Sequence, residues 1–139
     1  MGHFYGEFLK YTGGDKKALG IVLTPKHVTE LFCDLVQVSK EDTVLDICAG
    51  TGGFLIAAMH AMFKTATSEA EKIDIKKNKL IGIENNPKMF ALAASNMILR
   101  GDGKANLFQS SCFEQSLQDY IKYPKETSEL KRPNIGFLN

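Results

Sequence analysis

Asp46-Ile47-Cys48-Ala49-Gly50-Thr51-Gly52-Gly53-Phe54 follows the apolar run Thr43-Val44-Leu45 and precedes a second one, Leu55-Ile56-Ala57-Ala58-Met59. This order reads as a strand, an acid-tipped glycine turn and a helix. Gly50, Gly52 and Gly53 carry no Cβ, so a ligand can approach the backbone closely. The helix that begins there offers free N–H groups. A second acid, Glu84, ends the next apolar run, Lys79-Leu80-Ile81-Gly82-Ile83. Two carboxylates at the ends of adjacent strands, around one glycine turn, point to a nucleoside-containing cofactor.

Outward from this turn the chain alternates. Thr24 reads as an N-cap and Pro25 as the first helical residue. Val28, Leu31, Phe32, Leu35 and Val36 follow at helical spacing and predict a helix from about Pro25 to Val38. Ser39 to Asp42 is a turn. Thr43 to Ile47 is a strand apolar on both faces, as buried parallel strands are. A helix over Gly53–Phe63, a polar connection or helical extension over Lys64–Asn78 and a strand over Lys79–Glu84 come next. Pro87 opens a helix to Arg100, with Gly101 and Gly103 just past its end. Ala105–Gln109 is a third strand, Glu114–Lys122 a short helix, Tyr123–Pro133 a loop and Asn134–Leu138 a fourth strand. Strands alternating with helices make βαβ units and a parallel sheet. Ligands of such sheets sit at the carboxyl ends of the strands, where Asp46, Glu84, Ser110, Ser111 and Asn139 fall.

With 139 residues the chain is one domain by size. Residues 1–23 read as a lead-in, holding the aromatic-rich segment Phe4–Tyr11, and residues 24–139 as the α/β domain. Hydrophobic residues make up 44% and charged residues 24%, the composition of a globular protein. A net charge of +1 is below what a dedicated nucleic-acid-binding domain carries, so most of any DNA contact lies elsewhere. Cys33, Cys48 and Cys112 show no zinc or redox spacing and fit reduced thiols in the cytoplasm. No apolar run is long enough to span a membrane, and Met1-Gly2-His3 does not begin a secretory leader. Phe54, Phe63 and Phe90 read as helix-to-sheet packing and Cys33 as core. Lys76, Lys77 and Lys79 read as a solvated face.

The dinucleotide fingerprint Gly-x-Gly-x-x-Gly would need a glycine at Leu55 and an acid about 20 residues further on. Glu84 lies well beyond that, so NAD and FAD are disfavoured. Gly-x-x-x-x-Gly-Lys-Ser/Thr does not occur either. S-adenosylmethionine has a ribose diol, an adenine and an amino-acid end, and no phosphate. Glu84 can accept from both ribose hydroxyls. Asp46 can hold the turn or accept from the cofactor's ammonium group. Thr24 can serve as a plain cap or bind the cofactor's carboxylate.

These residues resemble those of adenine-N6 DNA methyltransferases, and more narrowly the modification subunit of type I restriction-modification systems. The resemblance rests on Gly20-Ile21-Val22-Leu23-Thr24-Pro25, Asp46–Phe54, Gly82-Ile83-Glu84-Asn85-Asn86-Pro87 and Pro133–Asn139. It implies a Rossmann-like S-adenosylmethionine-dependent methyltransferase fold, incomplete on its C-terminal side. It also implies cofactor contacts at Thr24, Asp46, Cys48, Ala49, Gly50, Thr51, Gly52, Gly53, Phe54, Glu84, Asn85, Ser111, Cys112 and Phe113. Ser111 stands where the family usually has an Asp that pairs with the cofactor's adenine. Asn139 matches the first residue of the family's Asn-Pro-Pro-Tyr/Phe tetrad, whose Asn accepts from the target adenine. The implied partners are DNA and the specificity and restriction subunits. The chain is then expected to bind cofactor without methylating DNA alone. Two rivals stand beside this reading: a related methyltransferase acting on RNA, protein or a small molecule, and a non-catalytic cofactor-binding or assembly module.

Overall fold

A computed structural model describes residues 23–101, 106–122 and 130–139. Phe4–Tyr11, Gly20–Val22, Gly103, Ala105 and most of the Tyr123–Pro133 loop lie outside the described residues. The elements run α1 (Lys26–Leu35), β1 (Val44–Asp46), α2 (Gly53–Thr65), α3 (Glu69–Asn78), β2 (Leu80–Glu84), α4 (Pro87–Leu99), β3 (Leu107–Gln109), α5 (Gln115–Lys122) and β4 (Ile135–Phe137). The alternation expected from sequence is present, with strands shorter by a residue or two at their ends.

The four strands form one sheet in the order β3-β2-β1-β4, and every neighbouring pair is parallel. Asp46 stands opposite Gly82 and Phe137, and Glu84 stands opposite Gln109. All four strands therefore end on one edge. Alternate residues face opposite ways along a strand. Val44, Leu80, Leu107 and Phe137 join the core cluster built by α2, with Ile75 of α3 and Ala93 and Met97 of α4. Leu45, Ile81, Ile83 and Phe108 join a second cluster with Leu117 and Ile121 of α5. By the same alternation Asp46, Gly82 and Glu84 lie on the α2 side. Leu80 through Ile83 are all buried, because helices cover both faces of the sheet.

α2 is the central helix. Eight of its residues between Phe54 and Met62 are buried, which leaves little room for polar surface. Phe54 stacks on Phe137 with ring centroids 4.8 Å apart and meets Phe32 edge-on at 5.9 Å. Phe63 and Phe90 pack against the same core, as expected.

Two local expectations change, for Thr24 and for Lys79. Pro25, in extended conformation, is the residue before α1, and no side chain caps that helix, so Thr24 is not its N-cap. The buried residues of α1 are Thr29 and Cys33, while Leu31, Phe32, Leu35 and Val36 stay exposed. Thr29 lies against the start of α2, where its Cγ2 is 3.7 Å from a Cβ placed on Gly53, and its small size permits that approach. Lys79 is buried rather than solvated: its Nζ donates to the carbonyl of Lys40 and lies 3.8 Å from Asp74.

The polar stretch after α2 contains a separate helix, α3, started by a capping box. Ser68 Oγ accepts from Glu71 N at 3.2 Å, and Glu71 Oε2 accepts from Ser68 N at 3.3 Å. Glu71 also accepts from Lys40 Nζ at 2.6 Å, tying this start to the β1 approach. Replacing Ser68 with Ala is expected to cost about 1 kcal/mol, a fall in melting temperature of about 4 °C by thermal denaturation.

Candidate functional site

The chain leaves β1 for β2 on one side and returns to pair as β4 on the other, which makes β1 the topological switch point. Open parallel sheets bind ligands in the crevice beyond the strand ends at this point. The turn between β1 and α2 fills it. Gly50 (φ +55°) and Gly52 (φ +78°) take left-handed conformations that side-chain-bearing residues rarely adopt. Gly52 N donates to Ala49 O at 2.7 Å, and Ala49 N donates to Ile83 O of β2 at 2.9 Å. Asn96 of α4 donates from Nδ2 to Thr51 O at 3.0 Å. No side chain caps α2 at Gly52.

Two carboxylates grip the turn from below and from the side. Asp46 is 2% exposed, and its Oδ1 accepts from Cys48 N at 3.1 Å. Burial raises its pKa from 3.8 to about 6, and the charge of Glu84 pushes the same way. Glu84, partly exposed, accepts from Gly50 N through Oε2 at 2.8 Å and from Asn86 N through Oε1 at 2.6 Å. Each carboxylate oxygen offers two lone pairs, so Glu84 retains acceptor capacity for a diol while it holds the turn. A Cβ placed on Gly50 would meet only Cys48 O, at 3.9 Å. The surface over Gly50 is therefore open. A phosphate-free nucleoside with two ribose hydroxyls fits this donor and acceptor set.

The buried Asp46 has a pH signature. Its folded pKa lies above its unfolded one, so the folded chain binds the proton more tightly. Its contribution to stability is then favourable at low pH and is lost as pH rises from about 4 to about 6. Asp46→Asn is expected to stabilise the fold at pH 7.5 by as much as about 3 kcal/mol, because each tenfold difference in proton affinity is worth about 1.4 kcal/mol. The gain should disappear near pH 3.5. Urea unfolding at the two pH values measures this, and an equal gain at both would refute the burial account.

The other predicted residues fall as follows. Asn139, two residues past β4, donates from Nδ2 to Thr24 Oγ1, so two residues distant in the sequence meet beside the switch point. Ala49 is buried, whereas Cys48 and Asn85 are exposed. The Cys48 thiol is pushed up by partial desolvation and by the neighbouring Cys112, Asp46 and Glu84. Ser110 N donates to Glu84 O at 3.2 Å. Ser111 Oγ accepts from Phe113 N at 3.2 Å, so this hydroxyl already serves its own loop. Cys112 packs partly into the second core cluster, and Phe113 is 85% exposed.

Two residues that support the site carry no role in the sequence reading. Asn86 Oδ1 accepts from Lys88 N and Met89 N and caps α4; its signal is an Asn directly before Pro87. Asn96, buried at 6% exposure, anchors the turn; its signal is a lone amide within the apolar run Ala91–Leu99.

A relative from Heyndrickxia coagulans, named as the type II restriction enzyme and methyltransferase RM.BcgI, is 54% identical over 112 residues, which are 81% of this chain and 18% of that protein. The type I restriction enzyme MjaIX methylase subunit of Methanocaldococcus jannaschii is 33% identical over 102 residues, 73% of this chain and 17% of that protein. The chain thus spans less than a fifth of either relative. A solved chain from a study of complex assembly in the type I restriction-modification system superposes with a TM-score of 0.67 over 83% of this chain and 24% of that one, at 24% identity, a likeness of fold. The family described as N-6 DNA methylase matches residues 1–129. A match over so much of the sequence, on a sheet whose switch point carries this turn, makes the chain a member of the N-6 DNA methylase family.

Proposed function

We propose that this chain forms the cofactor-binding part of an S-adenosylmethionine-dependent DNA methyltransferase that modifies the N6 amino group of adenine in restriction-modification. The carrying observation is Glu84, which braces the glycine turn through Gly50 N and keeps lone pairs for a ribose diol. When bound, S-adenosylmethionine supplies an electrophilic methyl group on its sulfonium.

The protein's own residues position and exclude. Glu84 holds the diol, and the turn from Cys48 to Phe54 passes beneath the amino-acid end. Asp46 keeps the turn in shape. Asn85, Ser111, Cys112 and Phe113 border the adenine, with Ser111 accepting through its remaining lone pair. Asn139 accepts a hydrogen bond from the amino group of an adenine turned out of the helix. Holding donor and acceptor in register accounts for the rate, as in other reactions limited by orientation.

A chain with a net charge of +1 contributes little to phosphate binding. We assign most DNA contact to other parts of the whole protein or to a specificity subunit, and nuclease activity to a restriction subunit. The isolated 139 residues should then bind cofactor without methylating. The protein would work in the cytoplasm beside its DNA. No helix among the described residues is long and apolar enough to cross a membrane.

The deciding experiment incubates the whole encoded polypeptide with tritiated S-adenosylmethionine and unmethylated DNA, then digests the product to nucleosides. Label in N6-methyl-2′-deoxyadenosine is the expected result. Label in RNA or protein alone would move the chain to another methyltransferase class. Cofactor that fails to bind would favour a purely assembling role.

A further inference from the structure

Ala93, Asn96, Met97 and Arg100 share one face of α4, and the glycine turn rests on that face. A Cβ placed on Gly52 would lie 3.7 Å from Met97 Cγ and 3.8 Å from Ala93 Cβ. Asn96 is buried there. It donates from Nδ2 to Thr51 O at 3.0 Å, and its Oδ1 accepts from Arg100 Nε at 3.2 Å. The orientation of this amide is unambiguous. A backbone carbonyl only accepts and a guanidinium only donates. The reversed amide would set oxygen against oxygen and N–H against N–H.

The bond to Thr51 fixes one peptide plane. Across the Thr51–Gly52 peptide, Thr51 O takes the Asn96 amide and Gly52 N donates to Ala49 O at 2.7 Å. Turning this peptide over would break both bonds. Gly52, at φ +78°, has no Cβ to oppose such a turn, so the restraint comes from the partners. Glu84 grips the turn from β2 at Gly50 N, and Asn96 grips it from α4 at Thr51 O.

We propose that Asn96 is a positioning residue for the amino-acid end of S-adenosylmethionine. Through Thr51 it fixes the part of the turn that runs beneath that end, while Glu84 serves the ribose diol. Arg100 supports it from the surface by holding Oδ1. This rests on the cofactor reading of the site, and Asn96 itself touches no part of the cofactor.

The test uses the whole encoded polypeptide with Asn96→Asp and Arg100→Ala. Asp keeps the shape and the acceptor for Arg100 but removes the donor to Thr51. Two ligands are compared by displacement of tritiated S-adenosylmethionine: S-adenosylhomocysteine and 5′-methylthioadenosine. Both have the adenine, the diol and an uncharged sulfur, and only the first carries the amino-acid end. Asn96→Asp should raise the Kd of S-adenosylhomocysteine about tenfold, the weight of one hydrogen bond, and leave that of methylthioadenosine within about twofold. Arg100→Ala should show the same selectivity with a rise of about threefold. A purely structural role would weaken both ligands alike, and that result would overturn the proposal. So would an Asn96→Asp variant that binds S-adenosylhomocysteine like the parent. Where a thermal melt shows Asn96→Asp unfolded, the exposed Arg100→Ala decides by the same two Kd values. A parent polypeptide that binds neither ligand defeats the cofactor reading first, and the proposal falls with it.

Discussion

Glu84→Ala is expected to weaken S-adenosylmethionine binding by about 100-fold, the loss of two charge-assisted hydrogen bonds. The same change withdraws the acceptor for Gly50 N and Asn86 N, so the turn loosens as well as losing its diol contact. Glu84→Gln keeps one accepting oxygen and replaces the other with a donor. It should fall between, with a Kd about tenfold above the parent. Isothermal titration calorimetry of the parent and both variants, paired with thermal melts, separates the effects. Equal Kd in all three would remove Glu84 from the site. A lowered melting temperature with unchanged Kd would leave it a structural brace alone.

Gly82→Val should produce the largest loss of stability. A Cβ at this position lies 2.6 Å from Leu107 Cδ1, 2.7 Å from Leu55 Cδ1 and 3.4 Å from Ala49 Cβ. Leu55 is fully buried under the sheet and Leu107 nearly so. Leucine tips can swing, but here they swing into a packed layer between β2, β3 and α2. Overpacking of this kind costs about 1–3 kcal/mol, with Ala near the lower end and Val at the upper. For a chain of this size the Val variant should melt about 10 °C lower. Displacement of α2 would also disturb the glycine turn, so cofactor binding should weaken in parallel. A Gly82→Ala variant that melts with the parent would show that the two leucines relax freely.

Much of this architecture is legible in the sequence because buried parallel strands and the glycine turn have strong local signatures. Val44–Asp46 and Leu80–Glu84 are short apolar runs closed by acids, and both form neighbouring strands. Pro87 marks the start of α4 because its ring suits the first helical turn. The polar Lys64–Asn78 stretch reads equally as connection or helix because α3 has almost no apolar stripe; its capping box and its pairing to Lys40 hold it. The apolar residues of α1 announce a helix and not its buried side, which Thr29 and Cys33 occupy because small side chains fit against α2.

By itself the sequence determined the order of strands and helices, the place of the glycine turn and the two acids that border it. Those are consequences of hydrophobic period and of residues with restricted or unusual backbone freedom, and such effects act over a few neighbours. Only the tertiary structure decided that Asp46 is buried beneath the turn, that Glu84 holds Gly50, and that Thr24 meets Asn139. Those contacts join residues distant in the chain. They depend on which strands pair and which faces pack, and the register of the sheet sets both at once.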